Sequence, residues 1–274
     1  MKSDTYERLS LEEIKRIQFD ILKETAGFCD ENNLRYYLTG GTLLGAVRHK
    51  GFIPWDDDVD IQMPRPDFER MKKIFSEGAC GRYSLVTFEN SPSHARMFAR
   101  MVDRDIIYDN RFFEKKYISN MGIDIFPMDG APPEGPEREE YFKKAKYIQN
   151  HFLWSQAKAF TGANPIRAVA KTFAMIPAKL VGRDKYYRQM TELVRQYPYE
   201  SSNEVGILTA VYMEKEILKK EAYEDTCEVE FEGSMFHATA EWDRYLTNLY
   251  GDYMSLPPEK ERKRKHGYEA YKIK

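Results

Sequence analysis

Cysteine is scarce in this sequence: three in 274 residues, Cys29, Cys80 and Cys227. They are odd in number, far apart, and form no CxxC pair. A disulfide framework, a zinc ribbon and a redox dithiol are thereby excluded, and a reduced cytoplasmic setting is expected. Long apolar runs are also missing. The most apolar stretch, residues 168–181, is broken by Lys171, Pro177 and Lys179 and is too short to span a bilayer. The first eight residues are polar and lack the apolar centre of a signal peptide. Charge of one sign is lacking too. A formal net charge of −2 gives no overall basic footprint for nucleic acid. Neither Walker nor Rossmann glycine spacing occurs, nor any repeat or low-complexity segment. What remains is an ordinary globular composition, 42% hydrophobic and 31% charged, enough for one large domain or two modest ones.

Periodicity supplies the elements. Ser10 with Glu13 forms a capping box. Leu11, Ile14, Ile17, Ile21, Leu22 and Phe28 then share one helical face, and Asn32-Asn33 ends the helix. A short strand over 35–38 leads to a turn at Thr39-Gly40-Gly41 and a helix over 42–48. Residues 53–63 contain an extended segment, because Pro54 opposes helix and Val59, Ile61 and Met63 alternate with polar residues. A helix over 66–75 and strands over 83–88, 97–102, 106–108 and 122–127 follow. After a proline-rich loop at 132–136, helices are expected over 137–160, 165–180 and 184–197. Strand-like pieces fall at 205–212 and 227–231, a last amphipathic helix at 242–250, and a charged tail from Pro257.

The chemistry concentrates in Asp56-Asp57-Asp58-Val59-Asp60-Ile61. On a strand, Asp58 and Asp60 project to one side while Val59 and Ile61 enter a core. Asp56 joins the acids if the strand begins that early. Carboxylates so close repel one another, and a bound cation relieves the repulsion. Mg²⁺ suits the site, because it takes one or two carboxylates and fills its other positions with water and phosphate oxygens. Mn²⁺ is the alternative. Asp124, between Ile123 and Ile125, is a third acid inside an apolar strand. It faces the same site if the two strands are neighbours. A solvated acidic turn explains Asp56-Asp57 equally well. A calcium loop of EF-hand type does not fit, because Ile61 stands where its glycine belongs.

Gly40-Gly41, between a strand and a helix, lets a phosphate approach backbone amides at a helix N-terminus. A tight turn without ligand is the plain alternative. Thr42 starts the helix and Arg48 and His49 end it, where a cation also complements the helix dipole. Arg96, Arg100 and Arg104 recur at spacing four and would share a face of an extended segment; Arg100 is the one assigned to phosphate. Trp55 can stack on a base or sugar, or simply be buried.

These residues resemble a known family. Gly40 through His49, then Ile53-Pro54-Trp55-Asp56-Asp57-Asp58-Val59-Asp60-Ile61, is similar to the LicD family of phosphotransferases. Ile123 through Gly130, Phe231-Glu232-Gly233, and Tyr250 through Pro258 with His266 beyond also match. The resemblance covers roughly residues 30 to 266; the stretch 137–200 carries no signature. It implies an α/β (α+β) fold: a nucleotidyltransferase-like mixed sheet with flanking helices and a helical insertion. The expected division is a catalytic core over 1–135, a helical insertion over 136–200, and a part over 201–274 completing the core and substrate site.

The resemblance further implies a CDP-linked donor, typically CDP-choline, whose phosphocholine passes to a sugar hydroxyl of a surface glycan such as lipopolysaccharide or teichoic acid. CMP leaves. Relatives in the fukutin-related group use CDP-ribitol. Carried onto this chain, the metal centre and catalytic acids are Asp58, Asp60 and Asp124, with Asp56 as a further ligand. Gly40, Gly41, Thr42, Arg48, Arg100, Trp55 and His266 fall to the substrates. An aromatic cage for choline has too many candidates to choose from, Tyr250, Tyr253 and Trp242 among them. The basic run 260–265 reads first as a solvated tail and second as a contact for an anionic membrane holding a lipid-linked acceptor at its inner face. Two rivals stand beside this reading. A glycosyltransferase would use Asp58-Val59-Asp60 for a nucleotide-sugar, but that class begins with an alternating β-α half absent here. A non-catalytic glycan-binding protein would not need all three acids.

Overall fold

The computed structural model describes residues 6–78, 81–109, 113–117, 119–161, 165–263 and 269–274. An edge strand β1 (Tyr6–Arg8) precedes helix α1 (Leu11–Glu31). The capping box is present: Ser10 Oγ accepts from the Glu13 amide at 3.2 Å, and Glu13 Oε2 accepts from the Ser10 amide at 2.8 Å. Ile14, Ile21, Leu22 and Cys29 are buried along one face, and Asn32 caps the end.

Next come β2 (Tyr37–Leu38), α2 (Gly40–His49), β3 (Asp60–Pro64), α3 (Arg65–Ser76), β4 (Tyr83–Val86), β5 (Ala99–Asp109) and β6 (Ser119–Gly130). Two features differ from the sequence reading. The glycine pair is the first turn of α2, with Thr39 as its extended N-cap, rather than a turn before it. The strands expected at 97–102 and 106–108 are one strand, β5, whose register shifts between Asp103 and Ile107. A bulge resets the two-residue alternation there and hides the continuity.

The helical region comprises α4 (Pro136–Gln156), α5 (Pro165–Val181) and α6 (Arg183–Val194). The chain then returns to the sheet through β7 (Glu204–Gly206) and β8 (Leu218–Lys219), forms a hairpin from β9 (Thr226–Phe231) and β10 (Ser234–Thr239), and ends with α7 (Trp242–Tyr250) and β11 (Glu269–Ile273). The strand expected over 205–212 stops at Gly206, because β6 offers it only Asp129 and Gly130 as ladder partners.

The result is a mixed α/β fold. Among the described residues the main sheet has nine strands, in the order β1-β11-β5-β6-β3-β2, with β4 on β5 and β7-β8 continuing from β6. Only β3 and β6 run parallel among the described pairs; the others are antiparallel. Ile21 and Leu22 of α1, Leu43 of α2, Ile61 of β3, Ile125 of β6 and Leu246 of α7 meet in one core. Tyr141, Ala145 and Phe152 of α4 with Tyr186 and Met190 of α6 form a second.

The centre of the sheet tolerates no added atoms. A Cβ at Gly122 on β6 would lie 2.1 Å from the Met101 carbonyl oxygen on β5. Neither strand can retreat without breaking its other ladder. Gly122→Ala is expected to cost about 3 kcal/mol, the upper end of overpacking, read as a lower urea midpoint at unchanged slope.

Candidate active site

The acids are placed by two strands and one helix. Burial alternates from Asp56 to Ile61, although the β3 ladder begins only at Asp60. Asp57, Val59 and Ile61 are buried, while Asp56, Asp58 and Asp60 are partly exposed on the other side. β3 lies parallel beside β6 with Asp60 opposite Asp124, so the condition for a shared site is met. Three hydrogen bonds tie the start of α2 and the two acidic strands together. The Asp60 amide donates to Thr42 Oγ1 at 2.8 Å, the Thr39 amide to Asp60 O at 3.3 Å, and the Asp124 amide to Val59 O at 2.9 Å.

Asp56, Asp58, Asp60 and Asp124 line one cavity of about 410 Å³, together with Gly40 and Gly41. That volume is in the range of small-ligand sites. A Cβ at Gly40, where φ is +52°, would lie 3.6 Å from Asp60 Oδ2, and one at Gly41 would lie 3.0 Å from Asp56 Oδ2. The glycine pair therefore leaves room where the carboxylates approach the backbone.

A fifth acid joins them. Glu216, in a 3₁₀ turn at Met213–Glu216, lines the same cavity and is buried. Tyr245 donates to its Oε2, and the Tyr245 hydroxyl also meets Thr39 Oγ1 at 2.5 Å. Burial pushes the Glu216 carboxyl up to about 7, opposed by the Tyr245 hydrogen bond. The Asp60 carboxyl is raised well above the usual range, first by desolvation and then by Asp58, Asp124, Asp56 and Glu216. Sequence reasoning missed Glu216. Glu214-Lys215-Glu216 reads as a solvated charged run, and nothing in its spacing marks the third residue as buried.

An all-oxygen donor set fits a hard divalent cation. Crowded acids and a glycine cradle support that fit. The coordination shell is unfinished, however: among the described residues no three His, Cys, Asp or Glu side chains converge closely enough to hold one ion. Asp124 is turned toward Arg100, whose Nε donates to its Oδ1 at 2.6 Å.

The cations differ from the expectation. Arg100 is outside the cavity lining and 7% exposed. Besides Asp124, it donates to the Tyr108 hydroxyl and to the carbonyls of Asn120 and Gly122 at 2.6, 3.0 and 2.9 Å. It stands behind the acids as their counter-charge. Arg96 is the arginine that lines the cavity, its guanidinium over the Phe98 and Phe113 rings. Arg104 lines a separate groove by α3 and β4. The shared face fails because Arg96 precedes the strand and the bulge redirects Arg104.

Three other expected substrate contacts hold the scaffold. Thr42 is buried beneath Asp60. Arg48 donates to the carbonyls of Tyr253 and Ser255 at 2.6 and 3.4 Å, bracing the segment after α7. Trp55 packs against His49 and lies under Arg262, whose Nε donates to Pro257 O at 2.7 Å. Neither Arg48 nor Trp55 lines the cavity. His266 lies outside the described residues, as do positions 264 and 265 of the basic run. Phe231-Glu232-Gly233 sits at the tip of the β9–β10 hairpin, with Glu232 and Gly233 both at positive φ. Glu232 Oε1 accepts from the Phe52 amide at 3.0 Å, and its own amide donates to Lys50 O at 2.9 Å. The tip thus holds the turn that enters the acidic segment. Of the aromatic cage candidates, Tyr250 lines the cavity, against Tyr212 at 5.5 Å between ring centroids.

Comparison with known proteins identifies the family. Residues 33–179 match the nucleotidyltransferase domain described as LicD/FKTN/FKRP. A lipopolysaccharide cholinephosphotransferase LicD from Haemophilus influenzae is 32% identical over 96% of this chain and 98% of its own length. The ribitol 5-phosphate transferase FKRP of Homo sapiens is 52% identical over 44 residues, 15% of this chain and 9% of that protein. An uncharacterised Rickettsia typhi protein is 28% identical over 45% of this chain and 47% of its own. The domain match ends before Glu216 and Tyr250, which complete the cavity.

Proposed function

This chain belongs to the LicD family, and from that premise we propose that it transfers phosphocholine from CDP-choline to a sugar hydroxyl of a surface glycan, releasing CMP. The observation that carries the reading is the convergence of Asp56, Asp58, Asp60 and Asp124 with the Gly40-Gly41 backbone on one cavity. The similarity to a lipopolysaccharide cholinephosphotransferase along almost the whole of both chains supports the donor head group and the acceptor class. Asp58, Asp60 and Asp124, with Asp56 beside them, would hold Mg²⁺ or Mn²⁺. Such an ion, when bound, supplies Lewis-acid neutralisation of the donor diphosphate.

The chain's own residues do the rest. Gly40 and Gly41 allow close approach of the diphosphate to the start of α2. Arg96 adds positive charge facing the anionic donor. Asp124 is committed to Arg100, which suits a fixed ligand better than a proton carrier. Glu216 is the better-placed acceptor for the hydroxyl proton, since burial poises its carboxyl near neutrality. Positioning and charge neutralisation provide most of the rate.

The test measures CMP release from CDP-choline and CDP-ribitol, with Mg²⁺ and with chelator, alongside thermal shifts that include UDP-glucose. Metal-dependent stabilisation by CDP-choline, with CMP release when a glycan acceptor is added, is expected. Stabilisation by UDP-glucose alone would make the chain a glycosyltransferase. CDP-ribitol as sole donor would overturn the head group but keep the reaction class.

A further inference from the structure

Helix α5 has a surface that the reaction does not use. Val169, Phe173, Ile176 and Leu180 are exposed by 43, 65, 43 and 82%. Their spacing of four, three and four confines them to an arc of about 60° on an α-helix. The other side of α5 is anchored: Ala168, Met175 and Ala178 are buried, and Ala178 belongs to the core built by α4 and α6. Phe160, 67% exposed, is brought alongside by a 2.8 Å hydrogen bond from its amide to Thr172 Oγ1. These side chains form one apolar ridge on the outside of the helical region.

The stretch of chain that carries this ridge is rich in cations. From Tyr141 to Arg183 the chain has eight lysines or arginines and no aspartate or glutamate, leaving the rest of the molecule at a formal −10. Lys144, Lys146 and Lys171 are exposed within that stretch, while Lys143 and Lys179 pair with Glu139 and Glu114. An apolar ridge on a stretch of net positive charge matches the boundary of an anionic bilayer, where phosphate headgroups lie over acyl chains. A second copy of this face is a poor cover, because a symmetric pairing would set two such basic stretches against each other. Among the described residues no helix is long and apolar enough to cross a membrane. The fit is therefore to lying in the interface.

We propose that α5 seats the protein on an anionic membrane surface, with Phe160, Val169, Phe173, Ile176 and Leu180 entering the headgroup boundary. This puts the membrane contact on α5 rather than on the basic run 260–265, for which it is only the second reading. The seat has a consequence for acceptor choice, which rests on the reaction proposed above. Phe152 of α4 packs in the same cluster as Ala178 and also lines the acidic cavity. One helix layer, roughly 10 Å, therefore separates the ridge from the cavity. A glycan anchored in that membrane would be held close to the acids.

The experiment is co-sedimentation of the full chain with vesicles of phosphatidylcholine, with and without phosphatidylglycerol. Wild type should bind the anionic vesicles, and more weakly at high salt. Phe173→Glu with Leu180→Glu, both at exposed positions, should lower the partition coefficient at least about tenfold while the circular dichroism spectrum is unchanged. Lys144→Glu with Lys146→Glu, which leaves the ridge intact, should weaken binding to anionic vesicles alone. Absence of binding by wild type, or equal binding by the variants, would overturn the proposal. So would a concentration-dependent dimer that Phe173→Glu with Leu180→Glu abolishes, since the ridge would then be covered by a second copy. Binding is read without turnover, so its failure is distinct from a failure of the proposed reaction.

Discussion

Asp60→Asn is expected to reduce turnover at least about a thousandfold, matching the several kcal/mol that a metal centre contributes to a phosphoryl displacement. Asp58→Asn should do the same. The same substitutions should leave the apo protein folded, and Asp60→Asn should hold or raise its melting temperature. Desolvation first, then Asp58, Asp124, Asp56 and Glu216, disfavour the charged form of Asp60, so an amide in its place removes a penalty rather than a favourable contact. The two readouts thus move in opposite directions. Mg²⁺ should raise the melting temperature of wild type and have little effect on the variant. A variant that retained wild-type turnover would remove the acidic cluster from the chemistry. One that lost activity only because it unfolded would show that Asp60 serves the fold.

Arg100→Met is the second large effect, and it separates two roles for one residue. If Arg100 bound donor phosphate, as its spacing with Arg96 and Arg104 suggested, the variant would raise KM and leave stability alone. The structure instead surrounds its guanidinium with Asp124, the Tyr108 hydroxyl and the carbonyls of Asn120 and Gly122. Loss of that donor set leaves a carboxylate beside other carboxylates without its counter-charge. The expected cost is about 3–5 kcal/mol, as for other buried ion pairs broken from one side. Urea unfolding reads it directly. Arg100→Lys should recover only part, because one ammonium cannot match a planar fork that reaches several acceptors. An unchanged urea midpoint with a raised KM would restore the phosphate role. Arg96→Ala should behave in that second way, with KM affected and stability nearly intact.

The parts of the fold legible in the sequence were those written in local periodicity. The capping box at Ser10 and Glu13, the apolar face of α1, the three consecutive helices and α7 all follow from spacing within one element. Alternation from Asp56 to Ile61 was legible for the same reason. It holds in the structure even where no ladder has begun, because the buried partners of Asp57, Val59 and Ile61 set it. Where a local signal was interrupted, the reading broke with it. The bulge split β5 into two apparent strands, and the glycine pair masked the first turn of α2.

The site divides along the same line. The sequence by itself determined that Asp58 and Asp60 face away from the core, that Asp124 is a polar residue in an apolar strand, and that Gly40-Gly41 opens the backbone. Each of these is a property of a few adjacent residues. Only the tertiary structure decided which charged groups share the cavity. Asp60 and Asp124 meet because β3 and β6 are parallel neighbours, which no spacing between positions 60 and 124 encodes. Glu216 enters because Tyr245 and Thr39, far from it in the chain, hold its side chain inside. Arg96 faces the acids and Arg100 stands behind them because the segment turns between them before the strand begins. Side-chain direction repeats within an element, while convergence depends on how distant elements pack, and a catalytic cavity is made by convergence.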